Sequence, residues 1–413
     1  MRLFAFEGLH YAGGAEEAGR LAAPPYDQID NAARDRFHAR SPHQFVHLTR
    51  PLPADGLDMY RHAADLHARW LANGILARDP KPALYPYVID LAGGGRRLGI
   101  AGLAGIDDPR VIRPHEHTLD KPLADRLALL RATHADLEPI LLLSEDGGRL
   151  DRLLAEDLEG AAPLVDHLDA DGHRHRLYRL DDPARIALYA AALNGHPSAI
   201  ADGHHRYKVA QRFAGETGAP AGTAAAAKLA VVTSLASPAL AIDPIHRALK
   251  EPVDLGRIAR FAAERTPFAG ASSHAGADLA AAVAAAPQPA IGLWPAGGKP
   301  EIWRLDPAQA PSSLPPGGRD LPVLLLHEAL FPALGLPAAA ATDGTVIYRN
   351  DPEALHGAIE SGEAALGIWL PPMRPAAFAA AIAQGDMLPP KSTRFLPKVM
   401  SGLVWADHGS KLL

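Results

Sequence analysis

Pro197-Ser198-Ala199-Ile200-Ala201-Asp202-Gly203-His204-His205-Arg206-Tyr207 is the stretch on which the reading of this chain turns. It opens as a short, mostly apolar extended run. From Tyr207 onward, Ala210, Phe213 and Ala214 recur at the spacing of a helix's buried face, and Gly218 and Pro220 stop that helix. A strand therefore gives way to a helix within two residues, which puts Asp202 or Gly203 at the N-cap. Backbone N–H groups there lack intrahelical partners, and the positive end of the helix dipole favours an anion. Arg206 stands one turn in, with a planar fork suited to phosphate or carboxylate. A capping aspartate would explain Asp202 alone. It leaves Gly203, His204, His205 and Arg206 unexplained, and a hinge, two imidazoles and a guanidinium in succession point to anion handling with proton transfer.

Outward from this turn, helical and strand-like patterns alternate, which predicts a mixed α/β chain. Helices are expected over Gly56–Asn73, Lys121–Ala135, Asp182–Asn194, His204–Gly215 and Pro375–Gln384. Strands are expected over Leu84–Leu91, Arg97–Ile106, Pro139–Leu143, Leu229–Leu235, Ala290–Trp294, Ile302–Leu305 and Ala365–Leu370, with a glycine-rich hairpin turn between the first two. Leu255–Pro287 is alanine-rich and helical in character, and a lobe boundary is expected near residue 250. The two expected parts are thus 1–250, carrying the site motifs, and 251–413, a C-terminal α/β lobe.

At 413 residues and 48% hydrophobic content, the chain is long enough for a large core or for several domains. The formal charge of −6 and the absence of any Lys/Arg run argue against a nucleic-acid or basic membrane-binding surface. With no cysteine there are no disulfides, thiol nucleophiles or Cys-ligated metals, so the 20 histidines are the main resource for proton transfer and metal binding. No apolar stretch reaches the length of a membrane span, and the N-terminus meets charge at once. A cytoplasmic protein with a small-molecule partner is the expectation.

Three other stretches carry candidate chemistry. Arg113-Pro114-His115-Glu116-His117-Thr118 sets two imidazoles around a carboxylate, with Lys121, Asp125 and Arg126 following at a helix start. Such a group suits acid–base work or divalent-ion binding, although in an extended segment Glu116 points away from His115 and His117. Ile242-Asp243-Pro244-Ile245-His246-Arg247 ends an apolar run in a His-Arg pair, which fits a site or a solvated loop equally well. Leu388-Pro389-Pro390-Lys391-Ser392-Thr393-Arg394-Phe395-Leu396-Pro397-Lys398 gathers three cations and two hydroxyls between prolines, suited to an anion or to docking the tail. Neither a P-loop nor a Gly-x-Gly-x-x-Gly nor a Gly-x-Ser-x-Gly elbow occurs, so any nucleotide is held in another way.

These motifs resemble the bacterial and archaeal family DUF1015 over nearly the full length. The resemblance rests on Ala23-Pro24-Pro25-Tyr26-Asp27, Ser41-Pro42-His43-Gln44-Phe45-Val46-His47-Leu48, Arg113 to Thr118 with Asp125-Arg126-Leu127, Ala201 to Tyr207, and Pro389 through Lys398 to Ser401-Gly402-Leu403-Val404. More distantly, Asp202-Gly203-His204-His205-Arg206 is similar to the nucleotide-phosphate motif of the ParB-like superfamily, and most like its free-serine kinases. The catalytic cysteine of sulfiredoxin is absent, as are the helix-turn-helix and basic surface of a partition protein.

That resemblance implies a ParB/sulfiredoxin-like nucleotide-binding core and a phosphotransferase that uses ATP or ADP with Mg²⁺ on serine or phosphoserine. Under it, Gly203, His205, Arg206, Arg126, Lys391 and Ser392 hold phosphates, and His115 and His204 assist. Glu116 is the expected base, with Asp202 the alternative for that role or for Mg²⁺. A nucleotide-binding regulator without turnover and a phosphate-ester hydrolase are the rival readings, since both need the same anion site.

Overall fold

The computed structural model describes the chain except residues 107, 109, 117–119, 255, 258–259, 261–267, 274–277, 287–288 and 315, and except the side chains of 120–121, 268–271 and 273. The chain divides into two compact units. Met1–Pro114, Thr118–Leu240 and Pro397–Leu413 form the first, and His115–His117 with Ala241–Leu396 form the second. The division thus falls at residue 240, and the C-terminal tail, which a single boundary near 250 would leave in the second lobe, belongs to the first unit.

The first unit is built on a nine-stranded mixed sheet. In chain order its strands are β1 (Leu3–Phe4), β2 (Tyr85–Asp90), β3 (Arg96–Gly105), β4 (Ile112–Arg113), β5 (Ile140–Ser144), β6 (Val165–Leu168), β7 (Arg174–Leu177), β8 (Ser198–Asp202) and β9 (Ala227–Ser234). Their spatial order is β4-β8-β5-β9-β3-β2-β7-β6, with β1 sharing β3. The pairs β4/β8 and β5/β9 are parallel and the rest antiparallel. Its helices include α1 (Met59–Ala72), α2 (Asp120–Thr133), α3 (Arg149–Asp157), α4 (Pro183–Leu193) and α5 (His204–Thr217).

Alternation along the strands sends Ile140 and Leu142 of β5, and Ala230 and Val232 of β9, into one core with Leu150 and Leu154 of α3 and Ile186 and Tyr189 of α4. Leu127 of α2 packs with Val209 and Phe213 of α5 in a second cluster. Every residue of β9 is buried, Lys228 included. A central strand covered on both faces forces any charge it carries to find a partner.

The second unit carries a six-stranded, wholly antiparallel sheet: β10 (His246–Leu249), β11 (Phe268–Ser273), β12 (Ala290–Pro295), β13 (Glu301–Leu305), β14 (Val346–Arg349) and β15 (Leu366–Trp369), in the order β11-β13-β12-β15-β10-β14. Its helices include α6 (Leu279–Ala284), α7 (Pro352–Glu360) and α8 (Pro375–Ala383). Leu279, Val283, Leu355, Ile359 and Trp369 make its core cluster with Ala248. A mixed α/β class is as expected, and the predicted helices and strands are present to within a few residues. The helical reading of Leu255–Pro287 is corrected at Phe268–Ser273, which is a strand because β13 offers it a ladder partner; much of the remaining stretch lies outside the described residues.

Candidate functional site

The turn from β8 into α5 is made by Gly203, at φ +94°, ψ +30°. Only glycine adopts that conformation freely. A Cβ here would also stand 2.6 Å from Ile140 Cγ2. Just before the turn, the register of β8 against β5 shifts between Ile200 and Asp202, an irregularity that re-aims the strand end. Gly203 is the N-cap, so Asp202 is not, and no side chain caps the first turn of α5.

Asp202 is held instead by two cations. Arg206 Nη2 donates to its Oδ2 at 2.6 Å, and Lys398 Nζ pairs with its Oδ1. Burial pushes this carboxyl's pKa up, but Lys398 and Arg206 outweigh it and leave the pKa below the ordinary value. Arg206 is buried as well and donates to the Pro139 carbonyl. Burial disfavours its charge, yet Asp202, Glu138 and Asp27 raise its pKa above that of a free guanidinium. Of the two histidines, His204 is buried and His205 half-buried.

Arg206 lines a cavity of about 50 Å³ with Arg126, Asp136, Glu138, Lys228 and His408. That volume holds about three or four water-sized molecules, enough for one small anion and too little for a nucleoside. Lys228 is paired with Asp136 and donates to Glu138 O at 2.7 Å. Arg126 pairs with Asp125 at 2.7 Å and with Glu138 at 3.5 Å, and Tyr26 lies under its guanidinium, 4.2 Å from ring centroid to Cζ. Glu138 also accepts from Tyr26 N at 2.9 Å and Ser401 Oγ at 3.2 Å. Three motifs that are remote in sequence therefore meet on one buried carboxylate, and Arg206 of a fourth lines the same cavity.

In the second unit, His115 is buried against Phe378, with Nε2 2.9 Å from Thr393 Oγ1. Glu116 Oε1 accepts from Lys391 N at 3.0 Å. Lys391 takes φ +58°, unusual for a residue with a side chain, and its ammonium end is exposed. Ser392 turns its hydroxyl inward to Pro389 O at 2.6 Å. His117 and Thr118 lie outside the described residues.

A divalent ion does not fit at Asp202, because both carboxylate oxygens are engaged by fixed cations. Among the described residues, no group of three or more His, Asp or Glu side chains could hold a metal. Among them, too, no helix is long and apolar enough to cross a membrane.

Over residues 3–277 the sequence matches the family model described as "Protein of unknown function (DUF1015)". The chain belongs to the DUF1015 family. The matched residues take in the Tyr26, Arg126 and Arg206 motifs, and the motif at Pro389–Val404 lies beyond them. A comparison with curated proteins finds no match. Among solved structures, the DUF1015 chain is similar to a conserved hypothetical protein from Pyrococcus furiosus, at 15% identity and TM-score 0.36, covering 72% of this chain and 90% of that one. It is also similar to free serine kinase in complex with AMP, at 15% identity and TM-score 0.37, covering 72% and 87%. A third is SbnI with C-terminal truncation from Staphylococcus aureus, at 12% identity and TM-score 0.38, covering 72% and 84%. At these TM-scores no residue is carried across.

Sequence reasoning missed Glu138 and Lys228 in the DUF1015 chain. Lys228 is a lone charge inside an apolar run, Ala226-Ala227-Lys228-Leu229-Ala230, and that is the available signal, because a charge in a buried strand must be paired. Glu138 stands beside Asp136 just before the apolar run that begins at Ile140 and carries no such signal.

Proposed function

We propose that the chain is a nucleotide-dependent small-molecule phosphotransferase, resembling a free-serine kinase, with ATP or ADP as phosphate carrier or product. The observation that supports this reading is the β8–Gly203–α5 turn. A helix N-terminus without a side-chain cap follows a left-handed glycine, beside Arg206 and Lys398. Oriented amides at such a turn suit a phosphate, and phosphoryl transfer needs chiefly positioning and charge stabilisation. Gly203, His205 and Arg206 are assigned to phosphate binding, with His204 beside the transferring group. Arg126 is assigned to holding Glu138 and Tyr26 in place. Glu116 takes the role of base on the motif resemblance. The acceptor hydroxyl attacks the γ-phosphorus, the bond to the ADP oxygen breaks, and the hydroxyl proton passes to the base. Mg²⁺ would enter on the nucleotide's own phosphates.

The test is transfer from ATP to serine followed by mass spectrometry in the parent and Glu116→Gln. Removing proton acceptance while keeping shape should lower turnover about 10²–10⁴-fold and leave ATP affinity nearly unchanged. Equal turnover rejects Glu116 as base. ATP binding without transfer to any hydroxyl-bearing metabolite favours a regulator, and release of inorganic phosphate from phosphoserine alone favours a hydrolase.

A further inference from the structure

The other buried cations described above each sit on a carboxylate: Lys228 on Asp136, Arg206 on Asp202, Arg126 on Asp125 and Glu138. Arg247 does not. It leaves β10 fully buried, at 0% exposure, and among the described residues no carboxylate lies within ion-pair distance of it. One Nη donates to the Ile245 carbonyl and the other reaches Pro390 O at 3.4 Å. Among the described residues its Nε has no partner, and the Tyr348 ring covers its face at 5.1 Å. Burial draws its pKa down to about 10, with Tyr348 and Glu116 pulling it back up.

Three further observations surround this unpaired charge. His327 stands on an irregular π-helical turn, Leu326–Leu330, with a buried Nε2 that likewise lacks a partner among the described residues, and it feels the charge of Arg247. Lys391 and its neighbours form a backbone-strained turn whose Lys391 N holds Glu116 and whose Pro390 O faces Arg247. Glu116 and Tyr348 keep partial solvent exposure, while Arg247 keeps none. Glu116, Arg247 and Pro390–Lys391, which come from motifs separate in sequence, thus meet within the second unit. A buried guanidinium with unused N–H groups is costly unless a ligand completes it, and irregular backbone collects where function maintains it.

We propose that Arg247, with Tyr348 and Glu116, recognises a small zwitterionic or hydroxylated carboxylate, its carboxylate facing the guanidinium and its ammonium or hydroxyl facing Glu116. One buried positive charge balances one negative charge, and Glu116 disfavours a doubly charged phosphate at the same place. A planar fork suits a carboxylate's two oxygens. Approach is from the side of Glu116 and Tyr348. The proposal deepens the phosphotransferase reading, on which it rests only in making this ligand the phosphate acceptor.

Calorimetry of the full chain without nucleotide tests it, with L-serine and D-glycerate as probes and serinol as the carboxylate-free control. The parent should bind the carboxylates at least tenfold more tightly than serinol. Arg247→Met should lose that preference, yet melt no lower than the parent, because replacing an unpaired buried charge by an apolar side chain of similar volume is neutral or stabilising. Arg247→Lys, which keeps the charge and loses the fork, should bind at least tenfold more weakly at unchanged melting temperature. Equal binding of serine and serinol, no binding of any probe, or unchanged binding in both variants overturns the proposal. Arg247-dependent binding without ATP-dependent transfer upholds it and rejects the phosphotransferase. Transfer to serinol and serine alike, unaffected by Arg247, does the reverse.

Discussion

At Gly203 two demands coincide: the chain must turn from strand to helix at φ +94°, and it must do so against the Ile140 side chain. Either demand alone would select glycine. The same helix supplies a control at its other end, where Gly218 has φ +61° and nothing within 4 Å of a built Cβ. Gly218→Ala should cost only the left-handed backbone strain, about 1–2 kcal/mol. Gly203→Ala should cost that plus overpacking against Ile140, about 1–3 kcal/mol more. Denaturant titration of the two variants separates these terms. Equal losses would mean that Ile140 yields and that steric closeness is not what requires glycine here. Asp202, one residue earlier, shows the same economy of position, since its two oxygens are divided between Arg206 and Lys398 and leave none for a cap.

Among elements, the Pro389–Thr393 turn holds its neighbours through backbone groups, with Lys391 N on Glu116 and Pro390 O facing Arg247. Lys391→Gly keeps both groups and relieves the positive φ, so melting should be unchanged or raised by up to about 1 kcal/mol, glycine's extra chain entropy offsetting part of the gain. A clear loss of stability would refute that account, and weaker ATP binding at unchanged stability would return the ammonium to the phosphate role read from sequence. Most elements were legible in advance because their apolar spacing is local: Tyr207, Ala210 and Phe213 announce α5 wherever it packs. Phe268–Ser273 was not, because after Phe268 its residues are alanine, glycine and serine and only pairing with β13 makes them a strand. The chemistry of Asp202–Arg206 was legible as residue types but not as geometry. Arg206 reaches back to Pro139 and Asp202 reaches forward to Lys398, contacts that no local pattern encodes. Arg247, balanced between site and solvated loop as a sequence, proved to be fully buried.

Across the whole molecule, neutral histidines are buried in both units, and together they set how the protein meets acid. His175 of the first unit accepts from the Tyr87 hydroxyl at 2.6 Å through Nδ1 and donates to Asp169 at 3.0 Å through Nε2, and burial, opposed by Asp169, lowers its pKa to about 4. In the second unit burial, aided by Arg247, lowers His246 to about 4 and His327 to about 3. In an unfolded chain these groups titrate near the ordinary histidine value of about 6.5. Between that value and the depressed one the unfolded state binds the proton and the folded state does not, so stability is full above pH ~6.5 and drains away as pH falls toward ~4. Each such histidine adds a slope of up to about 1.4 kcal/mol per pH unit within its window. The depressed carboxylates behave differently: Asp202 and Asp169 hold their stabilisation down to the ordinary carboxylate range and lose it only below pH ~4. The melting temperature should therefore decline from about pH 6.5 downward, well before Asp202 or Asp169 titrates, and steepen again below about pH 4. Calorimetric melts from pH 7.5 to 3.5 at constant ionic strength measure this. A flat profile from pH 7 to 5 would show that the buried histidines gain protons without unfolding either unit.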